Sequence, residues 1–303
     1  MTLRQSAVVI IASLCFGYLS DGETSARGML PRSVIKKPNT NNNMSETMRA
    51  LEAGLSIEGI TMYLFWVGIV AMGAGAVFFW LTIPKLPKAY QSVNVVAGII
   101  CAVACFHYVK MSGIYVEGVA SLFNANGERI EGKELSAFPT AYRYIDWFIT
   151  VPLLVLEFPL LLRLGQKGKG IMRNLVGASV VMLVFAWVAE ESAVGTSAWW
   201  INYLISCGAW GFIVFTLYTT VSQRIKEAPA PIARSANIMR LFILVGWSIY
   251  PIGFLMSLGG AEGESIREIC YNVADVINKV GFGLVCFAGA QGLAEMDAET
   301  NEL

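Results

Sequence analysis

Charge is what this chain has least of. Only 15% of its 303 residues are Asp, Glu, Lys or Arg, and 55% are hydrophobic; soluble domains carry roughly 25% charged residues. A water-soluble globular fold is therefore a poor match for the composition. There is no surplus of one sign either: 22 Lys and Arg face 22 Asp and Glu, which excludes a partner held by counterion release, such as nucleic acid. One histidine and six scattered cysteines give no zinc-ligand spacing, and no metal site is expected. Cys101, Cys105, Cys207 and Cys286 fall in apolar runs. A thiol there is a small hydrophobe, not half of a disulfide framework.

What the chain has in their place is long apolar runs. Its first twenty residues, MTLRQSAVVIIASLCFGYLS, hold one Arg and an apolar stretch too short to span a bilayer. They are expected to be a secretory signal peptide, residues 1–20. Residues 21–55 turn polar and cannot bury a core, so they form an N-terminal extension. Residues 56–293 then divide into seven stretches of spanning length, about 20 apolar residues each. They cover roughly 57–83, 91–113, 139–163, 171–193, 197–223, 236–259 and 265–293. The acidic tail AEMDAETNEL, residues 294–303, follows. The expected fold class is an all-α membrane protein, a bundle of seven transmembrane helices. It would be a multi-pass protein of the plasma membrane or an endomembrane.

The connections separate by charge. PKLPK, RLGQKGKGIMR and QRIKEAPAPIAR are basic, whereas the alternate loops carry Glu190, Glu191 and GGAEGESIRE. Basic loops stay cytoplasmic, which places the N-terminus outside and the C-terminal tail inside. The long loop 114–138 then lies outside, and its Asn126-Gly127 step points to a hairpin turn.

Against this apolar background the buried charges stand out. The third span contains Arg143, Asp146, Thr150 and Glu157. At 100° per residue they fall within one narrow stripe, so they face the bundle interior and not lipid. The seventh span contains Asp275 and Lys279, four residues apart on one helical face. Orientation converts positions into depth. Lys279 lies near mid-membrane, with Asp146, Asp275, Arg143 and His107 towards the outside. Glu157 lies alone about 16 Å further in than Asp146 at 1.5 Å per residue. A plain Lys279–Asp275 salt bridge fixing helix packing would stabilise little, and it leaves the charges of the third span without a purpose.

The segments RYIDWFITVPLLVLEF (143–158) and ADVINK (274–279) resemble those of the microbial (type 1) rhodopsins, most closely the proteorhodopsin-like light-driven proton pumps. GWSIYP (246–251) and FHY (106–108) support the resemblance, which covers about residues 56–293. It implies that Lys279 carries all-trans retinal as a protonated Schiff base, that Asp146 is counterion and proton acceptor, and that Asp275 is the second counterion. Arg143 would moderate their charge from the outer side. His107 would hydrogen-bond the acceptor, with pumping expected to stall in acid, and Thr150 would hydrogen-bond Asp146. Glu157 would rest protonated and act as proton donor, giving outward transport of protons across the lipid bilayer.

The resemblance further assigns Trp147, Met182, Trp210, Trp247, Tyr250 and Pro251 to the retinal pocket. Leu154 falls at the colour-tuning position, where leucine goes with green absorption. Tyr203 stands where antenna-binding relatives have glycine. Arg267 and Ser257 replace the two proton-release glutamates of the archaeal pumps. Homo-oligomers are common among such proteins. The competing function is a photosensory rhodopsin signalling to a partner. Glu157 argues against it, because a sensor has no need of an inner donor. A light-driven ion transporter, not an enzyme, is the expectation.

Overall fold

A backbone crossing hydrocarbon must satisfy its own N–H and C=O groups, and an α-helix does so within one segment. Each apolar run is accordingly helical. The computed structural model describes residues 56–124, 129–133, 135 and 138–302; the predicted signal peptide and extension lie outside the described residues. Helices α1 (Ile57–Thr82), α2 (Gln91–Ala120), α3 (Ala141–Leu161), α4 (Lys169–Glu190) and α5 (Ser197–Tyr218) come first. A short piece, Thr220–Lys226, prolongs α5. Helix α6 is built of Ala230–Leu241, a π-helical turn Phe242–Gly246 and Ile249–Leu255; α7 of Gly260–Val276, a second π turn Ile277–Gly281 and Phe282–Glu302. The helices pack in a closed ring in chain order, each on the next and α7 back on α1. The chain is an integral, multi-pass membrane protein with the seven-helix bundle expected of it.

The helices outrun the apolar windows. Helix α2 continues to Ala120, α6 starts at Ala230 and not at 236, and the predicted tail is helical as far as residue 302. Hydropathy measures only the thickness that must be apolar, so polar turns beyond it escape that ruler. At the start of α6 the cause is local: Pro229 and Pro231 preorganise the first turn without needing an N–H partner. The α6–α7 connection is reduced to a tight turn, with Gly260 at φ +66°, a value that suits glycine. In the α2–α3 loop, an isolated antiparallel bridge joins Phe123 and Arg129 on either side of Asn126-Gly127. The turn itself falls within 125–128, outside the described residues.

Helix α3 presents its polar stripe inward. Arg143, Asp146, Thr150 and Glu157 are all fully buried, whereas Ile145 and Ile149, outside that stripe, are exposed, as a lipid-facing surface requires. The two π turns face each other and were not legible in the sequence. Pro251 has no N–H to offer the carbonyl of Trp247, which takes the Tyr250 N–H at 3.1 Å in its place. The Gly246 carbonyl is thereby released and accepts from Asn278 Nδ2 at 3.0 Å. A Cβ at Gly246 would collide with the Asn278 carboxamide, so glycine permits this contact. The result is a rigid join between α6 and α7 one residue before Lys279.

Candidate functional site

Lys279 sits in the second π turn, 2% exposed. Such turns recur at functional positions because they displace one side chain from the ordinary helical register. Its Nζ makes two ion pairs, one with Asp146 Oδ2 and one with Asp275 Oδ2 at 3.0 Å. The amine therefore bridges α3 and α7 and does not merely pair with its own helix neighbour. Desolvating three charges together is costly unless further hydrogen bonds complete them.

The completion is unequal. Asp275 is saturated: Tyr250 Oη donates to Oδ1 at 2.7 Å, Trp147 Nε1 to Oδ1 at 3.2 Å and Tyr108 Oη to Oδ2 at 3.0 Å. Asp146 has Lys279 on Oδ2 and no hydrogen-bond partner on Oδ1. Two carboxylates on one amine thus have different capacities. One is held by donors from three helices; the other has a free oxygen able to receive a proton.

His107 and Thr150 stand differently from expectation. His107 Nδ1 lies 3.8 Å from Asp146 Oδ1, too long for a hydrogen bond, and is 2.9 Å from the carbonyl of Val103. The ring is close enough to act on Asp146 electrostatically but is tied to its own helix. Thr150 donates to the main-chain carbonyl of Asp146 at 2.9 Å and not to the carboxylate. That is the ordinary resort of a threonine inside an apolar helix.

On the side of Asp146 remote from Glu157, an ionic chain extends to the helix ends. Arg143 donates through Nε and Nη2 to Glu268 Oε2 at 2.9 and 2.6 Å, and through Nη2 to Asn272 Oδ1 at 2.8 Å. Arg267 binds Glu190 at 2.7 Å and approaches Glu268 at 3.4 Å. Arg143 touches neither counterion directly; it reaches Asp275 through Tyr108, whose hydroxyl is 3.5 Å from Nη1. Sequence reading missed Tyr108, Glu268, Asn272 and Glu190 as members of this system. Helical spacing could have found two of them, since Glu268, Asn272, Asp275 and Lys279 share one face at four, three and four residues apart.

Beyond Lys279, a cavity runs between α3, α4, α5 and α6, a concave and mostly apolar site of the kind small molecules occupy. Trp147, Leu154, Met182, Trp210, Trp247, Tyr250 and Pro251 all line it, together with Lys279. Trp210 is fixed by its indole N–H to the carbonyl of Ile243, 2.9 Å away in the first π turn. Tyr203 stacks on Phe254 at 5.3 Å and fills the space between α5 and α6 with ring. A largely apolar cavity with one amine in its wall suits a long apolar aldehyde: aromatic and aliphatic side chains surround the apolar body, and Lys279 is the only amine among the lining residues, able to condense with the aldehyde carbon. Retinal fits that description.

Glu157 stands apart from this system. It is fully buried on α3, and its contact is with Cys286 Sγ, 3.2 Å from Oε2. Among the described residues no cluster of His, Cys, Asp and Glu could hold a metal ion.

Comparison with known proteins points to one family. The family described as bacteriorhodopsin-like protein matches residues 59–293. A green-light absorbing proteorhodopsin from Gamma-proteobacterium EBAC31A08 is 32% identical over 243 residues, covering 79% of this chain and 90% of its own. A blue-light absorbing proteorhodopsin from Gamma-proteobacterium Hot 75m4 is 31% identical over 226 residues, 73% of this chain and 82% of that one. Among solved structures, that of Exiguobacterium sibiricum rhodopsin superposes with a TM-score of 0.68 at 39% identity, covering 78% of this chain and 98% of its own.

Proposed function

The chain belongs to the bacteriorhodopsin-like family of microbial (type 1) rhodopsins, and from that premise we propose that it is a light-driven outward proton pump carrying all-trans retinal on Lys279. The observation that carries the reading is the placement of two buried carboxylates of α3 on opposite sides of one buried amine. Asp146 pairs with Lys279 Nζ, while Glu157 lies three helical turns further along α3 in an apolar setting.

Lys279 would hold retinal, which would supply the absorption of light and an isomerisation that weakens the hold of Nζ on its proton. The residues of the chain decide where the proton goes. Asp275 is occupied by Tyr108, Tyr250 and Trp147 and serves as a fixed anion. Asp146, with Oδ1 free, accepts the proton from Nζ. Arg143, locked by Glu268 and Asn272, keeps a positive charge on the exit side and opposes return. Glu157 then supplies a proton to Nζ from the other side and is refilled from there. Each transfer is local, and the order gives the direction.

Outward transport follows from loop charge. Lys85, Lys88, Arg163, Lys167, Lys169 and Arg173 cluster at the Glu157 end, and Glu58, Glu191, Glu262 and Glu264 at the Asp146 end, so the positive-inside rule makes the Glu157 end cytoplasmic. Leu154, lining the cavity beside Trp147, favours green absorption. The near-equal identities to green- and blue-absorbing relatives leave that residue to decide the colour. Pumping, not signalling, is the function that needs Glu157.

The test is Glu157→Gln. General acid catalysis is typically worth 10²–10⁴-fold, so reprotonation of the Lys279 nitrogen after a flash should slow by about a hundredfold or more, while the resting colour is unchanged. Wild-type kinetics in this variant would remove Glu157 from the pathway.

A further inference from the structure

Glu157, Cys286 and Met239 come from α3, α7 and α6, and all three are fully buried. Cys286 Sγ lies 3.2 Å from Glu157 Oε2 and 3.4 Å from Met239 Sδ. Glu157 Oε1 has no hydrogen-bond partner. A carboxyl, a thiol and a thioether thus form one string in an apolar interior.

The donors in that string can be counted. A neutral carboxyl has one O–H, a thiol has one S–H, and a thioether can only accept. A buried donor left unpaired is worse tolerated than a carbonyl oxygen with a spare lone pair. One arrangement pairs both donors: Glu157 Oε2–H donates to Cys286 Sγ, and the S–H donates to Met239 Sδ. It leaves only Oε1 without a partner, as found. When the proton leaves Oε2 the need reverses, because a bare carboxylate requires a donor and the thiol is the one in contact. A charge-assisted bond to carboxylate is stronger than a neutral one, so the S–H turns from Met239 to Glu157.

We propose that Cys286 is a positioning residue for Glu157, accepting from its carboxyl in the resting protein and donating to its carboxylate once the proton has gone. This rests on the donor role given to Glu157 above. The thiol then stabilises the donor's charge only after it appears, which speeds proton delivery, and it fixes which oxygen bears the proton beforehand. A cysteine acting as mere filler does neither.

Light-minus-dark infrared spectra of the full chain in lipid test the switch. The S–H stretching band of Cys286 should move to lower frequency in the interval when the Glu157 carbonyl band is bleached, and should be missing in Cys286→Ala. By flash photolysis, Cys286→Ala should slow reprotonation of the Lys279 nitrogen about tenfold, the scale of one hydrogen bond to a charged group, with no change of colour. Cys286→Ser, which keeps a donor of similar size, should return to within about twofold of the natural rate. An S–H band that does not move, or natural kinetics in Cys286→Ala while Glu157→Gln is slow, overturns the inference and leaves the donor reading standing. Should Glu157→Gln itself be fast, the donor reading falls alone. The contact is then judged by the resting carbonyl frequency of Glu157, which must rise in Cys286→Ala; an unmoved band refutes it.

Discussion

Lys279→Ala, produced in cells supplied with retinal, is expected to yield a colourless protein. No other amine opens into the cavity that Trp147, Trp210 and Trp247 line, so no second residue can take the aldehyde. The substitution has a structural cost as well, since it leaves Asp146 and Asp275 facing each other without their common cation. Breaking a buried pair by removing one partner costs about 3–5 kcal/mol, and loss of colour through misfolding has to be separated from loss of the attachment point. Lys279→Arg makes the separation. Its guanidinium keeps a positive charge between the aspartates but does not condense with an aldehyde. Both variants should be colourless, and the Arg variant should retain more of the natural thermal stability. Visible absorbance in either would mean that another residue holds the chromophore.

The second large effect is expected from Asp146→Asn. The amide cannot take a proton from Nζ, and Asp275 cannot replace it, because three donors already occupy its oxygens. Outward transport should fall by about a hundredfold or more, the lower range of what a positioned acid or base contributes. The pigment should still form, since Asp275 remains at 3.0 Å from Nζ to balance its charge. Its absorption should move to longer wavelength, because removing one negative charge beside the nitrogen lets positive charge spread along the polyene. The matching change at the other aspartate, Asp275→Asn, leaves a carbonyl oxygen for Tyr250 and Trp147 but takes the acceptor from Tyr108 and the fixed anion from Lys279, and should damage pigment assembly more than it alters colour. Equal behaviour of the two variants would erase the distinction drawn between them.

Much of this site could be read from residue order. The stripe of Arg143, Asp146, Thr150 and Glu157 needed only the 100° rotation of an α-helix, and burial of the four with exposure of Ile145 and Ile149 is its direct consequence. The cavity walls were legible only through the resemblance, because a tryptophan in an apolar helix is by itself ordinary packing. What stayed hidden had physical causes. The π turns at Phe242–Gly246 and Ile277–Gly281 insert a residue into the helical register. An ideal projection therefore loses its phase beyond Lys279, where Cys286 lies. The engagement of Arg143 by Glu268 was concealed by distance along the chain, 125 residues. The hydroxyl of Thr150 and the ring of His107 were each expected on the Asp146 carboxylate. Both are drawn instead to main-chain carbonyls of their own helices, at 2.9 Å in each case. A local carbonyl is always within reach of such side chains, and sequence spacing cannot show which acceptor prevails.

The central claim is directional: a proton leaves one nitrogen towards Asp146 and is replaced from Glu157. Illumination of unbuffered cells containing the pigment measures this directly. The external medium should acidify in the light, recover in the dark, and show no change once a protonophore is present. Formed pigment with no light-dependent pH change would contradict the account and favour a photosensory role, and alkalinisation of the medium would reverse its direction.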